Sequence, residues 1–108
     1  MEMQTRHIDD FYIAGFTYWE GLKYVQHFKI GDVLELRQEP DNRYDPEAVA
    51  ICFKGEKIGY IPALRNTQIF QMLYFGHNVF EAIISQLNLE THPERQVRVT
   101  VRLKDGNK

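Results

Sequence analysis

Groups able to carry covalent chemistry are sparse in this chain. Ser85 is its one serine and follows the apolar run Ala82-Ile83-Ile84, the setting of a buried strand hydroxyl. Cys52 stands between Ile51 and Phe53. A thiol there is inert, because a reactive cysteine needs an electropositive, partly exposed setting. His7, His27, His77 and His92 share no i, i+4 spacing, and no His, Cys and carboxylate set matches a zinc pattern. Gly15, Gly21, Gly31 and Gly55 form neither a dinucleotide fingerprint nor a phosphate loop. These residues predict a binding protein with no catalytic group, metal or cofactor.

Two segments are organised for recognition instead. In Glu39-Pro40-Asp41-Asn42-Arg43-Tyr44-Asp45-Pro46, hydrogen-bonding side chains lie between two prolines. Such a loop is a proline-bracketed turn whose Asn and Asp bond their own backbone. It can also present Asn42, Tyr44 and Asp45 as a fixed recognition set. The second segment is Ala14-Gly15-Phe16-Thr17-Tyr18-Trp19-Glu20-Gly21. Adjacent side chains on a strand point to opposite faces, so at most one of Tyr18 and Trp19 is expected in the core. The other is an ordinary surface aromatic or a stacking platform for bases, each stacked base being worth about 1–3 kcal/mol.

The elements that must position these segments follow from apolar periodicity. Residues 11–16 form an aromatic-rich run that predicts a strand, with Gly15 marking a bulge or a close backbone approach. A short helix is expected between residues 21 and 28, and Gly31-Asp32 signals a turn. Residues 33–37 alternate, Val33, Leu34 and Leu36 against Glu35 and Arg37, and predict a strand. Residues 38–46 read as loop. Residues 48–53 return to strand, with Val49, Ile51 and Phe53 on one face, and 54–57 turn into a partner strand at 58–61. Asn66 is placed to cap a helix over 67–75 that Gly76 ends, with Ile69, Met72 and Leu73 as its buried stripe. Two more strands are expected at 79–89 and 97–103, joined by a turn holding Pro93, with a frayed tail at 105–108. The expected core joins Val49, Ile51, Phe53, Ile58, Ile61, Val99 and Val101 to the helix stripe. On the last strand, Arg98, Arg102 and Lys104 share the opposite face, either as a solvated strand face or as a basic stripe.

Short strands separated by turns predict a mainly β fold, a small antiparallel barrel of about six strands with one or two helices. An open α+β sheet is the alternative. The 108 residues fit a single domain with short flexible termini, and 44% hydrophobic with 26% charged residues is ordinary for a globular chain. One cysteine and no long apolar segment suggest a cytoplasmic protein that makes no membrane contact. Thirteen basic against fifteen acidic residues, a formal charge of −2, argue against a protein that coats duplex nucleic acid. A local nucleic-acid site on one face remains compatible with that balance.

The residues also carry a family resemblance. The order Ala14-Gly15-Phe16-x-Tyr18-Trp19-x-Gly21, Gly31-Asp32-x-Leu34, Glu39-Pro40-x-Asn42-x-Tyr44-Asp45-Pro46-x-Ala48-Val49, Ile58-Gly59-Tyr60-Ile61-Pro62 and Asn66 resembles the HIRAN domain. The motifs cover about residues 11–76. That family is known as a module of DNA-repair helicases and as stand-alone or fused bacterial domains. The resemblance implies an OB-like barrel that binds single-stranded DNA at a free 3′-hydroxyl end, in DNA repair or stalled-fork processing, with a helicase or nuclease as partner. It implies that Tyr18 and Trp19 pack on the terminal nucleotides, and that Asn42 and Asp45 face the terminal sugar with Tyr44 between them. Tyr60 would complete the nucleic-acid-binding set. Thr17, Pro62 and Ala63 stand where helicase-type members carry basic residues, so Arg43 and Arg65 are expected to supply positive charge. The alternative function is a peptide-interaction module using the same aromatic groove; a small enzyme is the third.

Overall fold

The computed structural model describes residues 6–104, so the expected frayed tail at 105–108 lies outside the described residues. Six antiparallel strands form one curled sheet: β1 (Arg6–Tyr12), β2 (Val33–Glu39), β3 (Ala48–Phe53), β4 (Glu56–Tyr60), β5 (Phe80–Leu87) and β6 (Val97–Leu103). Their order is β1-β6-β5-β2-β3-β4, a half-barrel rather than an open α+β sheet. Ala14, just past β1, bridges to Tyr60 at the end of β4 and joins the two edges at one point. Helices α1 (Gly21–Tyr24) and α2 (Thr67–Tyr74) complete the mainly β fold.

The alternating last strand folds as its pattern requires. In β6 the apolar side chains of Val97, Val99 and Val101 are buried in the core with Ile84 of β5 and Ile51 of β3. Lys54 and Gly55 both have positive φ, +50° and +86°, the conformation that a two-residue hairpin between right-twisted strands demands. β4 therefore starts at Glu56, and Lys57 is a strand residue rather than part of the turn. The helix ends through its backbone, Gly76 N–H donating to Leu73 O and His77 N–H to Met72 O, at 3.0 and 2.8 Å.

Other expectations are corrected. The first strand is residues 6–12, not 11–16: β6 supplies the ladder partners of the polar stretch, from Arg6 opposite Leu103 to Tyr12 opposite Arg98. The aromatic density at 11–16 reflects core burial of Phe11, Ile13 and Phe16 instead. Val33 is 64% exposed, because it alternates with Leu34 and cannot share that residue's buried face. Gln38 and Glu39 belong to β2, paired with Val49 and Ala48, and the ladder stops only at Pro40. In α2 the buried arc is Ile69 and Phe70 with Leu73 packed beside them, whereas Met72 is exposed. At 3.6 residues per turn Met72 falls about 60° outside that arc.

Candidate functional site

Tyr18 and Trp19 follow a turn rather than a strand. Gly15 has a φ of +71°, and Tyr18 N–H donates to Gly15 O at 3.0 Å. Thr17 Oγ1 donates to Glu94 Oε2 at 2.7 Å, and Glu20 N–H donates to Lys57 O at 3.1 Å, so the segment is pinned from both sides. Behind it, Gly21 leaves room for Phe16: a Cβ there would lie 2.3 Å from the Phe16 ring. Neither aromatic of the pair enters the core, within the limit of at most one, although the segment is a turn and not a continued strand. Tyr18 is 81% exposed and meets Trp19 edge to face, with ring centroids 5.4 Å apart, and Trp19 meets Tyr60 at 5.9 Å.

The loop after β2 faces this aromatic corner. Asn42 Oδ1 accepts from the backbone N–H groups of Tyr44 and Asp45, at 2.8 and 2.9 Å. Asn42 Nδ2 donates to Glu39 Oε1 at 3.0 Å. The Asn42 amide thus fixes the loop on itself, the local bonding that asparagine favours in turns. Asp45 is held by its own two oxygens: Oδ1 accepts from Glu47 N–H at 2.9 Å and Oδ2 from Asn66 Nδ2 at 2.8 Å. Asn66 is buried and makes no side-chain cap to α2. Its amide anchors Asp45 instead of the helix end.

The floor contains two residues that sequence reasoning did not assign to the site, Glu39 and Lys57. Lys57 Nζ pairs with Glu39 Oε2 at 2.6 Å and donates to Tyr60 Oη at 2.7 Å, while Tyr60 Oη donates to Glu39 Oε1 at 2.8 Å. The ammonium sits 4.2 Å from the Trp19 ring centroid and 4.7 Å from that of Tyr60, within cation–π range. Three residues apart, Lys57 and Tyr60 would point to opposite faces of a regular strand. They meet because β4 carries a bulge: Gly59 pairs with Ile51 and Lys57 with Cys52, leaving Ile58 as the extra residue. Burial pushes the Glu39 carboxyl up, but hydrogen bonds from Lys57, Asn42 and Tyr60 outweigh it and hold the group below its ordinary value. Burial pushes Lys57 down, and its bonds to Glu39 and Tyr60 overcome that and raise it. Burial also raises Tyr60.

These side chains bound one open groove of about 580 Å³. It brings together Tyr18, Trp19, Asn42, Arg43, Tyr44, Asp45 and Tyr60, all expected there, with Glu39, Asp41 and Lys57. Tyr44 and Arg43 stand exposed at its rim, Tyr44 at 89%. Arg65 does not join them. Its Nη1 pairs with Asp9 Oδ1 at 2.6 Å, outside the groove. Nor is the outer face of β6 a free basic stripe: Arg98 pairs with Asp10, Arg102 Nη2 with Glu81 at 2.8 Å, and Lys104 Nζ donates to Asn78 O at 3.4 Å. Cys52 is buried, and burial raises its thiol, while Ser85 Oγ donates to Arg98 O at 3.2 Å. Among the described residues no helix is long and apolar enough to cross a membrane.

The chain matches the family model described as the HIRAN domain over residues 10–104, so the likeness continues past the motifs into β5 and β6. The fold is similar to that of a protein from Lactobacillus plantarum, known as a crystal structure, with a TM-score of 0.76 at 19% identity. That likeness covers 94% of this chain and 98% of the other. It is also similar to the crystal structure of the HIRAN domain of human HLTF, with a TM-score of 0.63 at 14% identity over 95% of this chain and 83% of that one. At these identities the two structures speak for the fold. No curated protein matches the sequence.

Proposed function

The chain belongs to the HIRAN domain family, known as a nucleic-acid-binding module, and from that premise we propose that it binds single-stranded DNA at a free 3′-hydroxyl end without catalysing a reaction on it. The observation that carries the reading is the single groove in which the exposed Tyr18 ring and Trp19 face the rigid Asn42–Asp45 loop. Exposed aromatic faces stack on bases whatever their sequence. Asp45 gives one oxygen to Glu47 N–H and one to Asn66, which leaves acceptor capacity on both, since a carboxylate offers about four lone-pair sites. A terminal hydroxyl can donate to it. A phosphate in the same place meets like charge. Asn42 acts by holding the loop in shape, and Arg43 at the rim supplies charge for the backbone.

The whole chain acts as one binding domain in this reading, in the cytoplasm. A helicase or nuclease partner in DNA repair or stalled-fork processing supplies further contacts to the strand. The groove carries three acidic residues, Glu39, Asp41 and Asp45, against Arg43 and Lys57. Binding should therefore be modest and only weakly salt-dependent.

The test is a fluorescence titration at low salt with oligonucleotides that carry either a free or a phosphorylated 3′ end. Tighter binding of the free end is the expected result. Equal binding of the two would overturn end recognition, and a domain that binds neither but captures extended peptides would move the groove to the peptide-interaction reading.

A further inference from the structure

Resting on the reading of the groove as a 3′-end site, we infer that Glu39 is a specificity-determining residue: by holding Lys57 in an ion pair, it neutralises the lysine of the groove toward a terminal phosphate and sets a second carboxylate against it. Lys57 has three N–H donors. Glu39 Oε2 and Tyr60 Oη take two of them, at 2.6 and 2.7 Å, and the Trp19 ring lies 4.2 Å from the nitrogen. A phosphate that approaches the third N–H therefore meets an ammonium whose charge Glu39 already neutralises.

The Glu39 carboxylate is itself held in place. Glu39 sits on β2 opposite Ala48, and its Oε1 is bonded by both Tyr60 Oη and Asn42 Nδ2. Its side chain is only 21% exposed, so water screens its charge less than that of a surface carboxylate. It therefore stays beside any incoming phosphate and repels it. A hydroxyl end brings no charge and leaves the pair intact. Asp45 reaches the same groove from the far end of the loop, so the two carboxylates repel a phosphate from separate, rigid supports.

Three variants test this, in the same titration with free and phosphorylated 3′ ends. Glu39→Gln keeps the size and an acceptor for Tyr60 and Asn42, removes the charge and releases Lys57. The preference for the free end should fall about tenfold, through tighter binding of the phosphorylated oligonucleotide. The salt dependence for that oligonucleotide should steepen by about 0.7 in log K against log salt, one added phosphate contact on a single strand. Lys57→Gln leaves Glu39 uncompensated and should widen the preference. The Glu39→Gln, Lys57→Gln double variant should lose the gain and the steeper slope. An unchanged preference in Glu39→Gln, an equal loss for both oligonucleotides, or a double variant that keeps the gain overturns the role of Glu39. Should Glu39→Gln fail to fold by circular dichroism, Lys57→Gln decides alone: an unchanged preference there overturns the inference. A wild type that does not distinguish the two ends overturns the end-recognition reading itself, and the role of Glu39 with it.

Discussion

Ala14 and Tyr60 exchange both backbone hydrogen bonds, at 2.9 Å in each direction, and this pair joins the two edges of the curled sheet. The same Tyr60 carries the hydroxyl that bridges Lys57 and Glu39 in the groove. Closure of the sheet and the floor of the groove thereby share one residue. The chain that enters the seam at Ala14 leaves it toward Tyr18 and Trp19 within one turn, so the aromatic corner is placed by the strand pairing beneath it.

Gly59 is the residue that permits this seam. Its φ is +153°, and a Cβ would lie 2.6 Å from Ala14 O and 2.2 Å from Ile13 Cγ2. Gly59→Ala is expected to destabilise the protein by about 2–4 kcal/mol in urea unfolding, through backbone strain and the clash together. A change within about 0.5 kcal/mol, the range of neutral surface substitutions, would show that the seam tolerates a side chain.

The Asn66–Asp45 bond predicts a loop anchor rather than a helix cap. Asn66→Ala removes the amide that Asp45 Oδ2 accepts from and leaves a buried gap, for a loss of about 1–3 kcal/mol. Asn66→Asp sets two carboxylates against each other at that 2.8 Å contact. Its deficit should be larger at neutral pH and should shrink in acid, where one of the pair takes up a proton. Equal deficits at both pH values would count against the contact.

Tyr18 and Trp19 should separate binding from stability. Trp19→Ala is expected to weaken oligonucleotide binding by about 1–3 kcal/mol and to lower the melting temperature, because the indole also covers Lys57 and touches Tyr60. Tyr18→Ala should weaken binding with little change in melting, since that ring is 81% exposed. Calorimetry beside the titration reads both quantities.

Acid unfolding should carry the signature of Glu39. Its carboxyl is held below the ordinary value in the folded protein, so its contribution is complete above the unfolded-state pKa, about 4.3, and is lost as pH falls through the lowered folded value. The stability gap between wild type and Glu39→Gln should be constant near neutrality and close below about pH 4. Lys57, raised in the folded state, gives the mirror image: its contribution is complete below about 10.4 and fades as pH rises through its folded value. Chemical denaturation across pH checks both limbs, and a gap that persists in acid would deny Glu39 its partners.

What is local and periodic could be read along the chain. The alternation of residues 97–103, the Lys54-Gly55 turn and the β3 strand are written in neighbours, because side-chain direction in a strand repeats every two residues and a tight turn needs positive φ at two adjacent positions. The aromatic pair and the Asn42–Asp45 loop were legible for the same reason, since proline and asparagine shape their own backbone. Tertiary structure alone decided which charges share the groove. Lys57 and Tyr60 meet only because β4 takes up an extra residue opposite Ile51 and Cys52, a slip set by its partner strand that no periodicity within β4 reveals. Glu39 reaches Tyr60 across 21 residues, and Arg65 is drawn 56 residues away to Asp9 instead of into the groove. Each of these partnerships depends on strand order and register, which arise when distant segments bury their apolar faces together, and a side chain's own neighbours in sequence carry no record of that outcome.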